Sequence, residues 1–134
     1  MALAAMAATV ACGGYSAPTN PADGGQMGTP PPGTVAVSIQ DFSFSPASLT
    51  IQAGTTVRWT NKGPSAHTTT SDAGAWASST LSAPVSGGGG YGGGSSAGGA
   101  FDFTFTQPGT YPYHCSLHPP ATYPGFTGTV TVTP

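Results

Sequence analysis

Glutamate is missing from this chain altogether, and lysine plus arginine number only two among 134 residues. Charged residues make up 4% of the sequence and the formal net charge is -2. A nucleic-acid binder neutralises several phosphates with basic side chains, and Arg58 and Lys62 cannot supply that footprint, so no nucleic-acid partner is expected. The same scarcity leaves little long-range steering toward a charged partner. Methionine occurs only at positions 1, 6 and 27, which leaves the remainder of the chain without a thioether. No Ser-His-Asp spacing, phosphate-binding glycine loop or paired carboxylates appear. These absences argue against an enzyme.

The first fourteen residues, Met1-Ala-Leu-Ala-Ala-Met-Ala-Ala-Thr-Val-Ala-Cys12-Gly-Gly, hold an apolar run too short to span a bilayer as a helix. The run matches the apolar part of a secretion signal, although the customary basic residues before it are absent. Thr9-Val10-Ala11-Cys12 resembles the lipobox of bacterial lipoproteins, with Cys12 as the lipidated residue. Residues 1–12 therefore read as a leader, and the expected location is periplasmic or extracellular, tethered through Cys12 by a lipid anchor. Plain secretion and an ordinary N-terminus are the alternatives. Residues 13–33 are rich in glycine and proline, end in Pro30-Pro31-Pro32-Gly33, and contain almost nothing to bury. They read as a flexible linker with a stiffer end.

Residues 34–134 are left to form one domain, long enough for a single core. Val35, Val37 and Ile39 alternate with Ala36, Ser38 and Gln40, the period-two pattern of a half-buried strand. Phe42, Phe44, Leu49 and Ile51 continue the pattern, and Pro46 between them marks an edge or a crossing. Val57 and Trp59 alternate with Arg58 and Thr60, as Phe101, Phe103 and Phe105 do with Asp102, Thr104 and Thr106. Trp59 reads as core. Trp76 is expected against a sheet edge or loop. Between these runs, residues 86–99 carry one aromatic, Tyr91, among glycines and serines. With few side chains to offset the cost of ordering, this insertion is expected to be a mobile surface loop. The fold class is all-β.

The chemistry gathers in Gly109-Thr-Tyr-Pro-Tyr-His-Cys115-Ser-Leu-His118-Pro119-Pro120. Cys115 and His118 are three apart, where a tight turn can aim both at one point, and His67 is the natural third member. One thiolate with two imidazoles on a β frame suits a trigonal blue-copper site that carries electrons. Tyr111, Tyr113 and Cys115 share a strand face, which turns His114 outward. A disulfide between Cys12 and Cys115 is the plainer reading of two cysteines. A buried free thiol with two ordinary histidines is the plainer reading of the trio.

Asp41-Phe-Ser-Phe-Ser-Pro through Trp59-Thr-Asn61, then His67-Thr-Thr-Thr-Ser-Asp72, the Gly109 to Pro119 stretch, and the closing Gly128-Thr-Val-Thr-Val132 together resemble the small cupredoxins of the plastocyanin and amicyanin group. That resemblance implies a Greek-key β-sandwich of about eight strands binding one type 1 copper through His67, Cys115 and His118. It further implies a single-electron carrier, not an enzyme, acting between redox proteins that dock transiently, with the chain itself a monomer. His118, Pro119 and Pro120 would form the rim through which electrons pass, and His114 occupies the place of an aromatic at the family's docking surface. Multicopper oxidases and nitrite reductases need more ligands than three histidines provide. A non-redox copper-binding or copper-delivery protein, or a cupredoxin-like binding module, is the competing class.

The family pattern breaks after His118. Small cupredoxins usually reach a methionine through a short loop, whereas Pro119 to Gly128 is longer and has none. Phe126 aligns with the methionine when counted back from Gly128. One reading is a three-ligand site with Phe126 over the axial position and the Ala66 carbonyl on the other side. Tyr123 as an oxygen donor, a site that has lost copper, and Phe126 as simple core are the others.

Overall fold

The computed structural model describes residues 33–87 and 94–134. The leader with Cys12, the spacer up to residue 32 and the middle of the glycine-rich insertion with Tyr91 lie outside the described residues. Eight strands follow in order: β1 (Thr34–Gln40), β2 (Ser43–Ser45), β3 (Ser48–Gln52), β4 (Thr55–Asn61), β5 (Thr70–Ser71), β6 (Ala100–Phe105), β7 (Gly109–His114) and β8 (Thr127–Thr133). No helix occurs among the described residues.

The strands form two four-stranded sheets, ordered β2-β1-β4-β6 and β3-β8-β7-β5. Pairing is parallel for β1 with β4 and for β3 with β8, and antiparallel elsewhere. Pro46 sits where the chain leaves β2, at the edge of one sheet, for β3, at the edge of the other, so the missing amide hydrogen costs no ladder bond. The alternating runs face inward as their period requires. Val37, Ile39, Phe44, Ile51, Val57, Trp59, Phe105, Tyr113, Val130 and Val132 are buried between the sheets. Full burial of each large apolar side chain contributes about 1.5–3 kcal/mol before conformational entropy is counted.

Several side chains depart from the expected pattern. Trp76 enters the core instead of lying on an edge: it stacks on Trp59 at 5.3 Å between ring centroids, and its Nε1 donates to Thr69 Oγ1 at 3.1 Å. That hydrogen bond is what permits an indole to be buried there. Phe42 leaves the strand pattern, because Gln40 pairs with Ser43 and residues 41 and 42 become the tip of the β1–β2 hairpin. The flanks of the insertion are also tied to the body. Val85 and Ser96 exchange backbone hydrogen bonds at 3.0 Å, and Gly99 accepts from Asn61 and donates to Ser82, both at 2.9 Å. Glycine is what allows this approach, since a Cβ on Gly98 would lie 1.8 Å from the Asn61 carbonyl oxygen.

Tyr113 closes the core beneath the far end of the sandwich. Its ring lies over Gly128, its cross-strand partner, where a Cβ would come within 2.2 Å of Cζ. Burial pushes the Tyr113 hydroxyl up to about 12. The Trp59 indole is near enough to oppose that shift slightly, yet neither group makes a well-formed hydrogen bond among the described residues.

Candidate metal centre

Three loops meet at one end of the sandwich. The first runs from β4 to β5 and is fixed by Asn61, the last residue of β4. Buried Asn61 donates through Nδ2 to the carbonyls of Ser65 at 2.7 Å and Leu81 at 3.0 Å, and accepts from the Gly63 amide at 3.0 Å. His67 and Leu81 exchange backbone hydrogen bonds of 3.1 and 2.8 Å, which pins the backbone of the first histidine. The second loop, residues 115–126, leaves β7 and returns to β8. Thr122 and Tyr123 amides donate to the Pro119 carbonyl at 2.9 and 3.0 Å, and Phe126 donates to that of Tyr123 at 3.1 Å. Gly125, at φ 92°, makes the reversal that brings Phe126 back inward. The third is the hairpin tip of residues 41 and 42.

Ligand atoms of His67, Cys115 and His118 all lie within 4.8 Å of one another. Nδ1 of His67 is 3.3 Å from Nδ1 of His118 and 3.9 Å from Sγ of Cys115, and Sγ is 3.6 Å from Nδ1 of His118. For metal–nitrogen bonds of about 2.0 Å and metal–sulfur bonds of about 2.3 Å, a trigonal site would separate the nitrogens by about 3.5 Å and each nitrogen from sulfur by about 3.7 Å. The triangle fits one metal ion. Its tautomer logic fits too. Nε2 of His67 lies 2.9 Å from Asp41 Oδ1, so the hydrogen sits on Nε2 and the Nδ1 lone pair faces the centre of the triangle. The His67 Nδ1 lone pair, the Cys115 sulfur and His118 Nδ1 are thus placed to serve as donors to one ion. A soft thiolate with two imidazoles suits copper.

The sulfur is further held by the first loop. The Thr68 amide donates to Sγ at 3.4 Å, and Thr68 Oγ1 lies 3.8 Å from it. Thr68 Oγ1 also accepts from the Ser116 amide at 2.8 Å, which locks the two ligand loops together. Cys115 is a buried free thiol.

The remaining residues singled out from the sequence fall around this triangle. Phe126 is fully buried, edge-on to His67 at 5.1 Å and tilted against His118 at 6.2 Å. Tyr123 turns its ring edge-on to His118 at 5.1 Å. Ala66 is exposed beside His67, His118 is half-buried, and Pro119 is exposed with Pro120 half-buried behind it. His114 stands outside the triangle on the outward face of β7, with Nδ1 2.6 Å from Asp72 Oδ1.

Sequence reasoning missed Asp41, Phe42, Asn61 and Thr68. The Asp41 carboxylate accepts from His67 Nε2 and the Ser65 amide through Oδ1, and from Ser65 Oγ at 2.9 Å through Oδ2. The His67 hydrogen bond is the main reason its carboxyl is held below the usual range. Phe42 adopts φ 64°, a left-handed backbone that costs an L-residue about 1–2 kcal/mol. A usable signal existed, since the whole chain has four acidic residues and one of them stands in a short gap between alternating runs.

Known proteins give the same picture. The profile of copper-binding proteins of the plastocyanin/azurin family matches residues 33–133. Amicyanin of Paracoccus denitrificans is 30% identical over 87 residues, covering 65% of this chain and 60% of the relative, so the match spans less than two thirds of that protein's length. Among solved structures, a purple cupredoxin from Nitrosopumilus maritimus superposes with a TM-score of 0.53 at 26% identity, over 74% of this chain and 99% of that one. A copper-containing nitrite reductase from Thermus scotoductus gives 0.57 at 26% identity, over 75% of this chain but only 22% of the reductase. With the profile covering all eight strands and the His67, Cys115 and His118 triangle at its end, the chain belongs to the plastocyanin/azurin family of copper-binding proteins.

Proposed function

We propose that this protein is a mononuclear type 1 copper protein that carries single electrons between redox partners. The observation that carries the reading is the convergence of His67 Nδ1, Cys115 Sγ and His118 Nδ1 on one point in a half-open end of a β-sandwich. Copper bound there supplies a one-electron couple between its cuprous and cupric states. The chain's own residues supply a fixed frame. Asn61 and the His67–Leu81 bridge hold one imidazole, β7 holds the thiolate, and Thr68 ties the loops, so little rearrangement accompanies a change of charge.

In this reading Phe126 would stand beside the ion where small cupredoxins usually carry a methionine, the Ala66 carbonyl would be a further, distant neighbour, and Tyr123 would serve through its ring and not as an oxygen ligand. An apolar ring instead of a thioether disfavours the cupric state and raises the potential. Electrons pass through the half-buried edge of His118, and partners dock transiently on the surface around Pro119 and Pro120, with His114 at its margin. The protein acts as a monomer and is not an enzyme. It works in a periplasmic or extracellular setting, held to a membrane by a lipid on Cys12 behind the spacer of residues 13–33.

An optical and paramagnetic resonance spectrum of the purified, copper-loaded and oxidised protein tests the core of this reading. An intense thiolate-to-copper band with narrow hyperfine splitting supports it. A protein that binds copper yet stays colourless after oxidation would favour copper storage or delivery. One that binds none would be a binding module.

A further inference from the structure

We propose that the Asp41–Phe42 turn is a third working loop of the metal centre, in which Asp41 sets the orientation and donor strength of His67 while Phe42 covers His118. The inference rests on the copper reading and adds two residues to it. One hairpin tip then governs both imidazoles.

The turn is placed by the sheet. Gln40 and Ser43 pair on either side of it, so residues 41 and 42 project from β1 and β2 with no slack. Asp41 reaches the first ligand loop and is met by three donors, the Ser65 amide at 3.2 Å, Ser65 Oγ at 2.9 Å and His67 Nε2 at 2.9 Å. Space for it is made by Gly63, where a Cβ would lie 2.5 Å from Asp41 Oδ1. The carboxylate is 28% exposed while the His67 side chain is fully buried. A carboxylate behind a ligand imidazole fixes the tautomer and ring plane, and makes the opposite nitrogen a stronger donor. Stronger donation favours the more highly charged metal state. Asp41 therefore works against Phe126, lowering a potential that the apolar axial ring raises.

Phe42 carries the second half of the proposal. A two-residue hairpin that only had to reverse the chain would take glycine or asparagine at a left-handed position. Here a phenylalanine occupies it at φ 64° and is 42% exposed. Its ring stacks on Tyr123 at 4.4 Å with 7° between planes, and meets His118 edge-on at 5.4 Å and Phe126 at 6.2 Å. The strained backbone thus holds a ring against the half-buried ligand, with Tyr123 as its support.

The test uses the full chain, with copper ions as the probe, and the variants Asp41→Ala, Asp41→Asn, Phe42→Gly and Phe42→Leu. In the metal-free protein, nitrogen NMR of the His67 ring should show the Nε2–H tautomer for wild type and a mixture for Asp41→Ala. That arm is independent of copper, so a missing thiolate-to-copper band would end the copper reading without deciding the positioning of His67. With copper, Asp41→Ala should lose about 10–100-fold in cupric affinity by chelator competition, and less in cuprous affinity. Each tenfold difference between the two states appears as a rise in potential of about 59 mV. Asp41→Asn, which keeps an acceptor but not the charge, should fall between, and it decides the matter if the alanine variant does not fold. Phe42→Gly should release copper about tenfold faster while the metal-free protein melts no lower, and Phe42→Leu should restore much of the retention. Equal loss of affinity in both oxidation states with an unmoved potential would reduce Asp41 to a loop brace. An unchanged tautomer in Asp41→Ala, or unchanged copper release from Phe42→Gly, would overturn its half of the proposal.

Discussion

His67 and His118 bring equivalent nitrogen atoms to within 3.3 Å of each other, yet they are held by different means. Around His67 the contacts are directional hydrogen bonds: Asp41 on the ring, Leu81 on the backbone and Asn61 beneath the loop. Around His118 they are aromatic rings, Phe42 and Tyr123 edge-on and Phe126 tilted. Hydrogen bonds fix an angle and resist entry of water, whereas aromatic contacts exclude water without fixing an angle as tightly. One imidazole is thus sealed and anchored, while the other stands at a half-open edge, as the proposed electron path requires.

The largest test of that contrast replaces each histidine by glycine and adds imidazole to the copper-loaded protein. His118→Gly should recover the thiolate-to-copper band, because its place opens toward solvent, while His67→Gly should not, because its place is sealed. Equal recovery would break the comparison. Next in size is Asn61→Ala, which removes the side-chain donor to the Ser65 and Leu81 carbonyls and the acceptor of the Gly63 amide, leaving Leu81 only its bond from the His67 amide. It should cost about 3 kcal/mol in denaturant melts of the metal-free protein, against about 1 kcal/mol for Tyr123→Ala on the aromatic side. Phe126→Met is near in volume and offers a thioether toward the ligand triangle. Voltammetry should find a lower potential than wild type. An unchanged potential would make Phe126 a core residue only.

The smallest effect serves as a control remote from both histidines. The Arg58 guanidinium makes two 2.7 Å hydrogen bonds to Asp102, the main cause of an Asp102 carboxyl held below its ordinary value. A depressed carboxyl stabilises the fold above the ordinary range near about 3.9 and loses that contribution as pH falls through the lowered value. Both side chains are more than a third exposed or close to it, so the pair is worth less than about 1 kcal/mol. Melts of wild type and Asp102→Asn should converge as the pH drops from 5 toward 2, with the copper spectrum at neutral pH unaffected.

Strands and the candidate metal-binding trio were legible because both leave local patterns. Val35, Val37 and Ile39 show their buried face by alternation, and Cys115 and His118 show their convergence by spacing. The supports of the site were not legible, because they come from far along the chain. Asp41 and His67 are 26 positions apart, and only the parallel pairing of β1 with β4 brings them together. Phe42 resembled a strand residue because a two-residue turn can be populated by almost any pair when its backbone strain is offset elsewhere. Trp76 has no period to reveal it, since it enters the core from a loop. The close approach of Gly98 to Asn61 was not legible either, because glycine signals both freedom and close approach, and only the neighbour tells which.

The position of β8 has a consequence in time. It lies inside its sheet, between β3 and β7, and not at an edge. Strand β3 therefore has no partner toward β7 until Thr127–Thr133 has been synthesised, and the loop carrying Phe126 leads directly into that same strand. A chain still growing on a ribosome can close its first sheet but not its second. The capacity to hold metal arises in one late, cooperative event that depends on long-range pairing.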